Sequence, residues 1–367
     1  MVCVNQKTFR QLLSGADRRL GANVLRLTLR LVAVPYACAV AFRNRLYDQR
    51  LLKTVAAPVP VISVGNITTG GTGKTPLVIW LCRYLESQGR RCAILTRGYK
   101  TPRGPLSDEP ALLARACTNT KVLVDPDRAA GAHKAVSQYS ADVLVLDDGF
   151  QHRRLGRDLN IVTLDATCPF GYERVLPAGL LREPLEGLKR AEVIVITRYD
   201  QVEPQALQRL ETRIGQLAPY VSVVKAACRH THAVTTEAAV LSLESLRHQR
   251  AFVFCGIGNP DAFIESIRHN GIDIVGTRIF NDHYRYKPDD IRAITRQAKQ
   301  CGATLILCTE KDGVKAALLK PEEAGIQLAW LAMELDFVEG ADRLKTHIDT
   351  VLRPSQDKSR VPENKTT

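Results

Sequence analysis

Short runs of β-branched and aliphatic residues alternate with stretches of helical period along most of this chain. The runs predict strands at 59–65, 91–96, 121–124, 142–147, 159–165 and 192–197, with helices at 74–88, 108–117, 127–139 and 203–216 between them. A second set follows, with strands at 251–256, 273–280, 304–308 and 327–332 and helices at 260–269, 287–300 and 339–352. Near-continuous apolar strands separated by amphipathic helices predict an α/β fold, a mostly parallel sheet covered on both faces. The stretch 218–250 is mixed: Val221–Val224 reads as strand and Arg229–His232 as turn. The pattern therefore divides the chain into 1–55, a domain at 56–217, a linker at 218–250, a smaller α/β domain at 251–353 and a polar tail at 354–367 expected to be disordered.

One junction in this pattern carries chemistry. The strand ending at Gly65 runs through Asn66-Ile-Thr68-Thr69-Gly70-Gly71-Thr72-Gly73 into Lys74-Thr75, where a helix opens. Strand, glycine loop and helix N-terminus form a phosphate cradle, because glycines let successive N–H groups point at one anion. Lys74 is expected to reach the β- and γ-phosphates of ATP, and the Thr75 hydroxyl to hold Mg²⁺. The first domain is thus of the phosphate-loop NTPase type. Thr68 stands where the commonest pattern opens with Gly. Thr69 stands where partition-type ATPases carry an extra Lys, so the loop fits neither of the two commonest subtypes.

Val143–Leu146 leads into Asp147-Asp148-Gly-Phe-Gln151-His152. Acids at the C-terminal end of a strand lie at the edge where open α/β sheets bind ligands. One carboxylate there can hold Mg²⁺. Two neighbours on an extended strand point oppositely, so the other is expected to orient nearby groups, and the pattern leaves open which does which. Arg97 and Arg128 follow strands at the same edge and suit phosphate. Arg182 and Glu183 sit in a turn-rich segment and suit phosphate and metal respectively. Ser107-Asp108-Glu-Pro110 by itself reads as a helix cap, Asn281-Asp-His283-Tyr284 as a structural turn, and His230 and His232 as surface-loop residues.

Charge changes the picture at one end. Residues 1–58 carry ten Lys and Arg against Asp17 and Asp48, eight of the net +13. They also hold the apolar run Leu31–Phe42, interrupted by Pro35. Twelve residues fall short of the ~20 that span a bilayer. A basic amphipathic segment lying on an anionic membrane is expected, rather than a nucleic-acid patch, since aromatic residues are not interleaved with the charges. Ten scattered cysteines with no C-x-x-C pair point to a reducing cytoplasm and away from zinc.

Taken in order, Gly70-Gly-Thr-Gly-Lys-Thr75, Arg97-Gly-Tyr99, Asp108-Glu-Pro110, Asp147-Asp-Gly-Phe-Gln-His152, Leu176-Pro-Ala-Gly179, Arg182-Glu183, Asp282-His283 and Thr309-Glu-Lys-Asp312 closely resemble the tetraacyldisaccharide 4′-kinase (lipid A 4′-kinase) family. The resemblance implies transfer of the ATP γ-phosphate to the 4′-hydroxyl of a tetraacylated disaccharide 1-phosphate, giving lipid IV-A, at the cytoplasmic face of the inner membrane. It implies a kinase domain joined by two strands to a smaller α/β domain. Asp108 resembles the family's general base, with His283 as its partner across the cleft. Thr75, Asp147 and Glu183 then form the metal set, and Asp148 joins Lys74 among the catalytic residues. Arg97, Arg128, Gln151, His152 and Arg182 are left for the lipid disaccharide. No nucleic acid and no obligate protein partner are implied. Three departures stand out: Ser107 replaces a usual Gly, the span from Arg97 to Asp108 is short for the family and implies less cover over the nucleotide, and Gly313 replaces a commoner Ala with little expected consequence. A membrane-associated partition-type ATPase is the alternative.

Overall fold

The apolar runs assemble into one twelve-stranded sheet in the computed structural model, which describes residues 11–98, 108–257, 260–281, 284–317, 319 and 325–353. Strands β1 (Val61–Gly65), β2 (Cys92–Thr96), β3 (Lys121–Val124), β4 (Val143–Asp147), β5 (Leu159–Asp165) and β6 (Val193–Thr197) lie in the order β3-β2-β4-β1-β5-β6, all parallel. Every residue of β1, β2, β4 and β6 is buried. Helices cover both faces, so those strands are apolar runs on both sides apart from Ser63, Thr96, Asp147 and Thr197. The helix Lys74–Ser87 buries Leu77, Val78, Leu81 and Leu85 on one face of this half.

The connection between the halves is longer and more regular than the sequence suggests. Strand β7 (Ser222–Thr235) pairs in parallel with β6 through its first residues, then runs antiparallel to β12 (Gln327–Glu339). The short β8 (Val240–Ser242) pairs with the far end of β7. Strands β11 (Leu305–Thr309), β9 (Arg250–Cys255) and β10 (Asp273–Ile279) continue the sheet beyond β12. Arg229–His232, read as a turn, is therefore the middle of a paired strand, and His230 and His232 are strand residues rather than loop residues. Alternation there (Arg229 and Thr231 exposed, His230 and His232 half-buried) was masked because both faces carry polar residues. Two long antiparallel strands bridging two mostly parallel halves are consistent with the two-strand connection that the family resemblance implies.

The end of the chain returns to the first half. Helix Ala341–Leu352 places Leu344, Ile348 and Leu352 in the core that holds Ile62 and Val78. Tyr84 donates to Asp349 at 2.8 Å and Arg90 to the Leu352 carbonyl at 3.1 Å. Sequence order grouped this helix with the smaller unit; its packing is with the larger. The tail 354–367 lies outside the described residues.

At the other end, residues 20–48 form one 29-residue helix that continues through Pro35. The expectation of a twelve-residue apolar element is corrected: the helix is long and apolar enough to cross a membrane by length and composition. Leu20, Val24, Leu25, Leu27, Leu31, Val32 and Val34 are exposed along it. Its second half docks: Tyr36 donates to the Arg182 carbonyl at 2.8 Å, Asn44 is buried, and Arg153 bonds both the Asn44 carbonyl and Asp48.

Candidate active site

The phosphate loop is shaped from beneath. A Cβ on Gly65 would lie 2.6 Å from Cβ of Phe150, so glycine lets β1 end against the turn that follows β4. Gly73 takes φ +81° just before Lys74, a conformation that favours glycine. Thr72 is buried and its hydroxyl meets Asn66 Nδ2 at 3.0 Å and the Thr163 hydroxyl at 2.7 Å, while Thr197 donates to the Thr72 carbonyl. Thr69 N donates to the Leu180 carbonyl at 2.8 Å and Arg182 N to the Ile67 carbonyl at 2.7 Å, stapling the loop to the segment 180–182. Among residues expected to meet nucleotide, Asn66, Thr68 and Thr72 thus have buried side chains, with Asn66 and Thr72 bracing the loop; Gly70 and Gly71 are exposed, and Thr69, Gly73, Lys74 and Thr75 lie between. Thr163 and Thr197, unmarked in the sequence, belong to the same brace.

The two aspartates divide their work. Asp147 ends β4 opposite Val64 of β1 and is buried. Burial, then Glu109 and Asp148, push its carboxyl up to about 6 against the pull of Lys74 and Arg128. Asp148 leaves the strand at φ +50°, so its side chain escapes the alternation that would send it away from its neighbour. It meets Arg182 at 2.7 Å and Lys74 at 3.5 Å. Burial alone would raise its pKa, but Lys74 and Arg182 outweigh it and hold the carboxyl below the usual range. Asp148 is the ion-paired member; Asp147 is the buried carboxylate, accepting from the Thr96 hydroxyl at 3.3 Å and in no ion pair among the described residues.

The remaining expected residues fall into three groups. Arg128 is buried and donates to the Asp147 carbonyl at 3.1 Å, so it braces the acid turn; Arg97 is exposed at the same edge. Burial, then Arg128 and Arg157, hold His152 down to about 4, so its ring is neutral at pH 7; its buried Nε2 has no hydrogen-bond partner among the described residues. Gln151 Nε2 donates to the Asn66 carbonyl at 2.8 Å and to Glu183 Oε1 at 2.9 Å.

Glu183 is fully buried, and its Oε2 accepts from Arg190 at 2.7 Å and from Asn44 Nδ2 at 2.9 Å. Expected in the metal set, it is held in this structure by three donors, Gln151 included, at the joint between the N-terminal helix and the phosphate loop. Neither Asn44 nor Arg190 carries a sequence signal for this role; both look like ordinary polar residues flanking other features. Asp108 opens helix Asp108–Ala116, its side chain outside the described set, and His283 lies outside the described residues. Helix Asp108–Ala116 packs against helix Glu310–Ala317 of the second half, and Arg115 stacks 4.2 Å over the Trp330 ring.

Among the described residues, no three His, Cys, Asp or Glu side chains gather as a ready-made metal cage. Mg²⁺ in phosphoryl-transfer sites commonly takes one or two protein groups plus phosphates and water. Buried Asp147, in no ion pair among the described residues and near the Lys74–Thr75 helix start, fits that demand.

Comparison with known proteins extends the geometry. A family model described as tetraacyldisaccharide-1-P 4′-kinase matches residues 25–353. A tetraacyldisaccharide 4′-kinase of Anaeromyxobacter sp. (strain K) is 36% identical over 343 residues, covering 88% of this chain and 90% of the relative. That of Geobacter metallireducens is 36% identical over 353 residues, covering 89% and 99%. The crystal structure of LpxK from Aquifex aeolicus in complex with ATP superposes with a TM-score of 0.73 at 30% identity, over 89% of this chain and 99% of that one. This chain therefore belongs to the tetraacyldisaccharide 4′-kinase family.

Proposed function

We propose that the chain transfers the γ-phosphate of ATP to the 4′-hydroxyl of a tetraacylated glucosamine disaccharide 1-phosphate, giving lipid IV-A. The observation that carries this reading is the meeting of Lys74, Asp148 and Arg182 at the head of the glycine-loop helix, with buried Asp147 beside them. Lys74 takes up charge on the transferred group, and Asp148 with Arg182 fixes where Lys74 stands. Thr75 and Asp147 would hold magnesium, which would supply positive charge against that of the phosphates. Asp108 takes the proton of the sugar hydroxyl, a step worth roughly 10²–10⁴ in rate, with His283 orienting it. Arg97, the exposed arginine at this edge, is suited to the acceptor's phosphate, while Arg128, Gln151, His152 and Arg182 would shape the acceptor side of the site from the braced positions described above.

The N-terminal helix is the membrane seat, peripheral at the cytoplasmic face. Tyr36 to Asp48 are held on protein, which leaves residues 20–34 for lipid. About 15 helical residues reach ~22 Å, less than the ~30 Å hydrocarbon core. Lying in the interface fits that length better than spanning.

Incubation with labelled ATP and the disaccharide lipid tests the proposal. Wild type should yield a labelled glycolipid. Asp108→Ala should lose transfer while still binding nucleotide, and Lys74→Ala should lose both. ATP hydrolysis that ignores the acceptor would reject the kinase reading in favour of a partition-type ATPase.

A further inference from the structure

The fully buried carboxylate of Glu183 is a junction between the N-terminal helix and the phosphate site. On one side Asn44, itself buried, donates to Glu183 Oε2 at 2.9 Å, and eight residues earlier Tyr36 donates to the Arg182 carbonyl at 2.8 Å. The helix thus holds two consecutive residues. On the other side those residues hold the site. Arg182 grips both oxygens of Asp148 at 2.7 and 2.8 Å, and Asp148 faces Lys74. Glu183 Oε1 accepts from Gln151, whose amide also bonds the Asn66 carbonyl where the phosphate loop begins. Arg190 closes the cluster, bonding Glu183 at 2.7 Å and stacking 4.6 Å from the Phe150 ring. The pocket is tight: a Cβ on Gly187 would lie 2.7 Å from Glu183 Oε2.

A buried carboxylate must be satisfied on all sides or its desolvation is uncompensated. Removing Asn44 therefore moves Glu183, and Glu183 cannot move without releasing Gln151 or Arg190. The shift reaches the phosphate loop through Gln151 and Lys74 through Arg182. We infer that Asn44 and Tyr36 are positioning residues for phosphoryl transfer, making the N-terminal helix an arm of the active site through Glu183. This rests on the kinase reading above.

The test is steady-state transfer by Asn44→Ala and Tyr36→Phe, with labelled ATP and the disaccharide lipid in mixed micelles, beside thermal unfolding. Supporting residues of this kind typically change activity by about 10–100-fold. Asn44→Ala is expected to lower kcat by about that factor with KM for ATP within twofold of wild type. Tyr36→Phe, which deletes one hydroxyl from a half-exposed residue and leaves the fold standing, is expected to lower kcat about threefold to tenfold. Asn44→Gln should recover part of the loss. A purely structural role predicts lower unfolding temperature with wild-type kcat below that temperature; that result, in either variant, overturns the inference. If Asn44→Ala does not fold, Tyr36→Phe alone decides. Absence of transfer by wild type would instead sink the kinase reading.

Discussion

Glu310 shows how a single carboxyl at the contact between the halves sets a pH dependence. Burial raises it from 4.5 to about 7, against Arg83, the Met333 amide and Arg115, with Glu334 adding to the rise. The folded value lies above the unfolded one, so native protein holds this proton more tightly. Its contribution to stability is complete below about 4.5 and is lost as pH climbs through about 7. At ~1.4 kcal/mol per unit the loss approaches about 3 kcal/mol. Urea unfolding of wild type and Glu310→Gln should therefore diverge between pH 4.5 and 8, wild type falling relative to the variant; parallel curves would show that Glu310 meets more water than its packing suggests. Legibility at this scale follows sequence distance. Lys74, Thr75, Asp147 and Asp148 sit inside local motifs whose geometry the strand and helix periods dictate. The anchoring of Glu183 was not legible, because its partner Asn44 is 139 positions away and nothing local to either residue marks the contact.

Elements were easier to read than the contacts between them. The parallel strands fell within a residue or two of expectation because buried parallel strands advertise themselves as unbroken apolar runs, whereas β12, expected to end at 332, runs on to Glu339 in its antiparallel stretch. Strand β7 was not legible, since its polar middle hides a paired strand behind turn-like residues. Gly313 is the other lesson. As a helical glycine replacing alanine it looked inconsequential, yet a Cβ there would lie 2.6 Å from the buried Trp330 ring, over which Arg115 stacks. Alanine would add about 1 kcal/mol of helix propensity. Displacing a packed indole costs roughly 1–3 kcal/mol, so the clash outweighs it. Gly313→Ala should lower the unfolding temperature by a few degrees, and because helix Glu310–Ala317 packs on the helix that Asp108 opens, transfer should fall with it. A stabilised Gly313→Ala protein would mean that the ring yields freely and that the contact does not fix the Asp108 helix.

At the scale of the whole molecule, the N-terminal excess of positive charge was legible but the helix was not, because Pro35 reads as a break. In the structure it lies inside the helix, where a proline's missing N–H and ring clash cost stability that packing of the docked half offsets. The exposed apolar residues 20–34 then extend from the docked half with no protein against most of them. Leu27 and Leu31 are 58% and 66% exposed, so changing them to glutamate costs the fold little. Each loses roughly 1.5–3 kcal/mol of apolar burial in lipid, about 10–100-fold in partitioning. Leu27→Glu with Leu31→Glu should therefore abolish cosedimentation with anionic vesicles, while wild-type binding should weaken as salt screens the arginines. The Asn44–Glu183 junction is untouched by this pair, so kcat on detergent-dispersed lipid should stay near wild type while activity on vesicle-embedded lipid collapses. Equal activity on both presentations would show that the helix does not seat the enzyme at its substrate's surface.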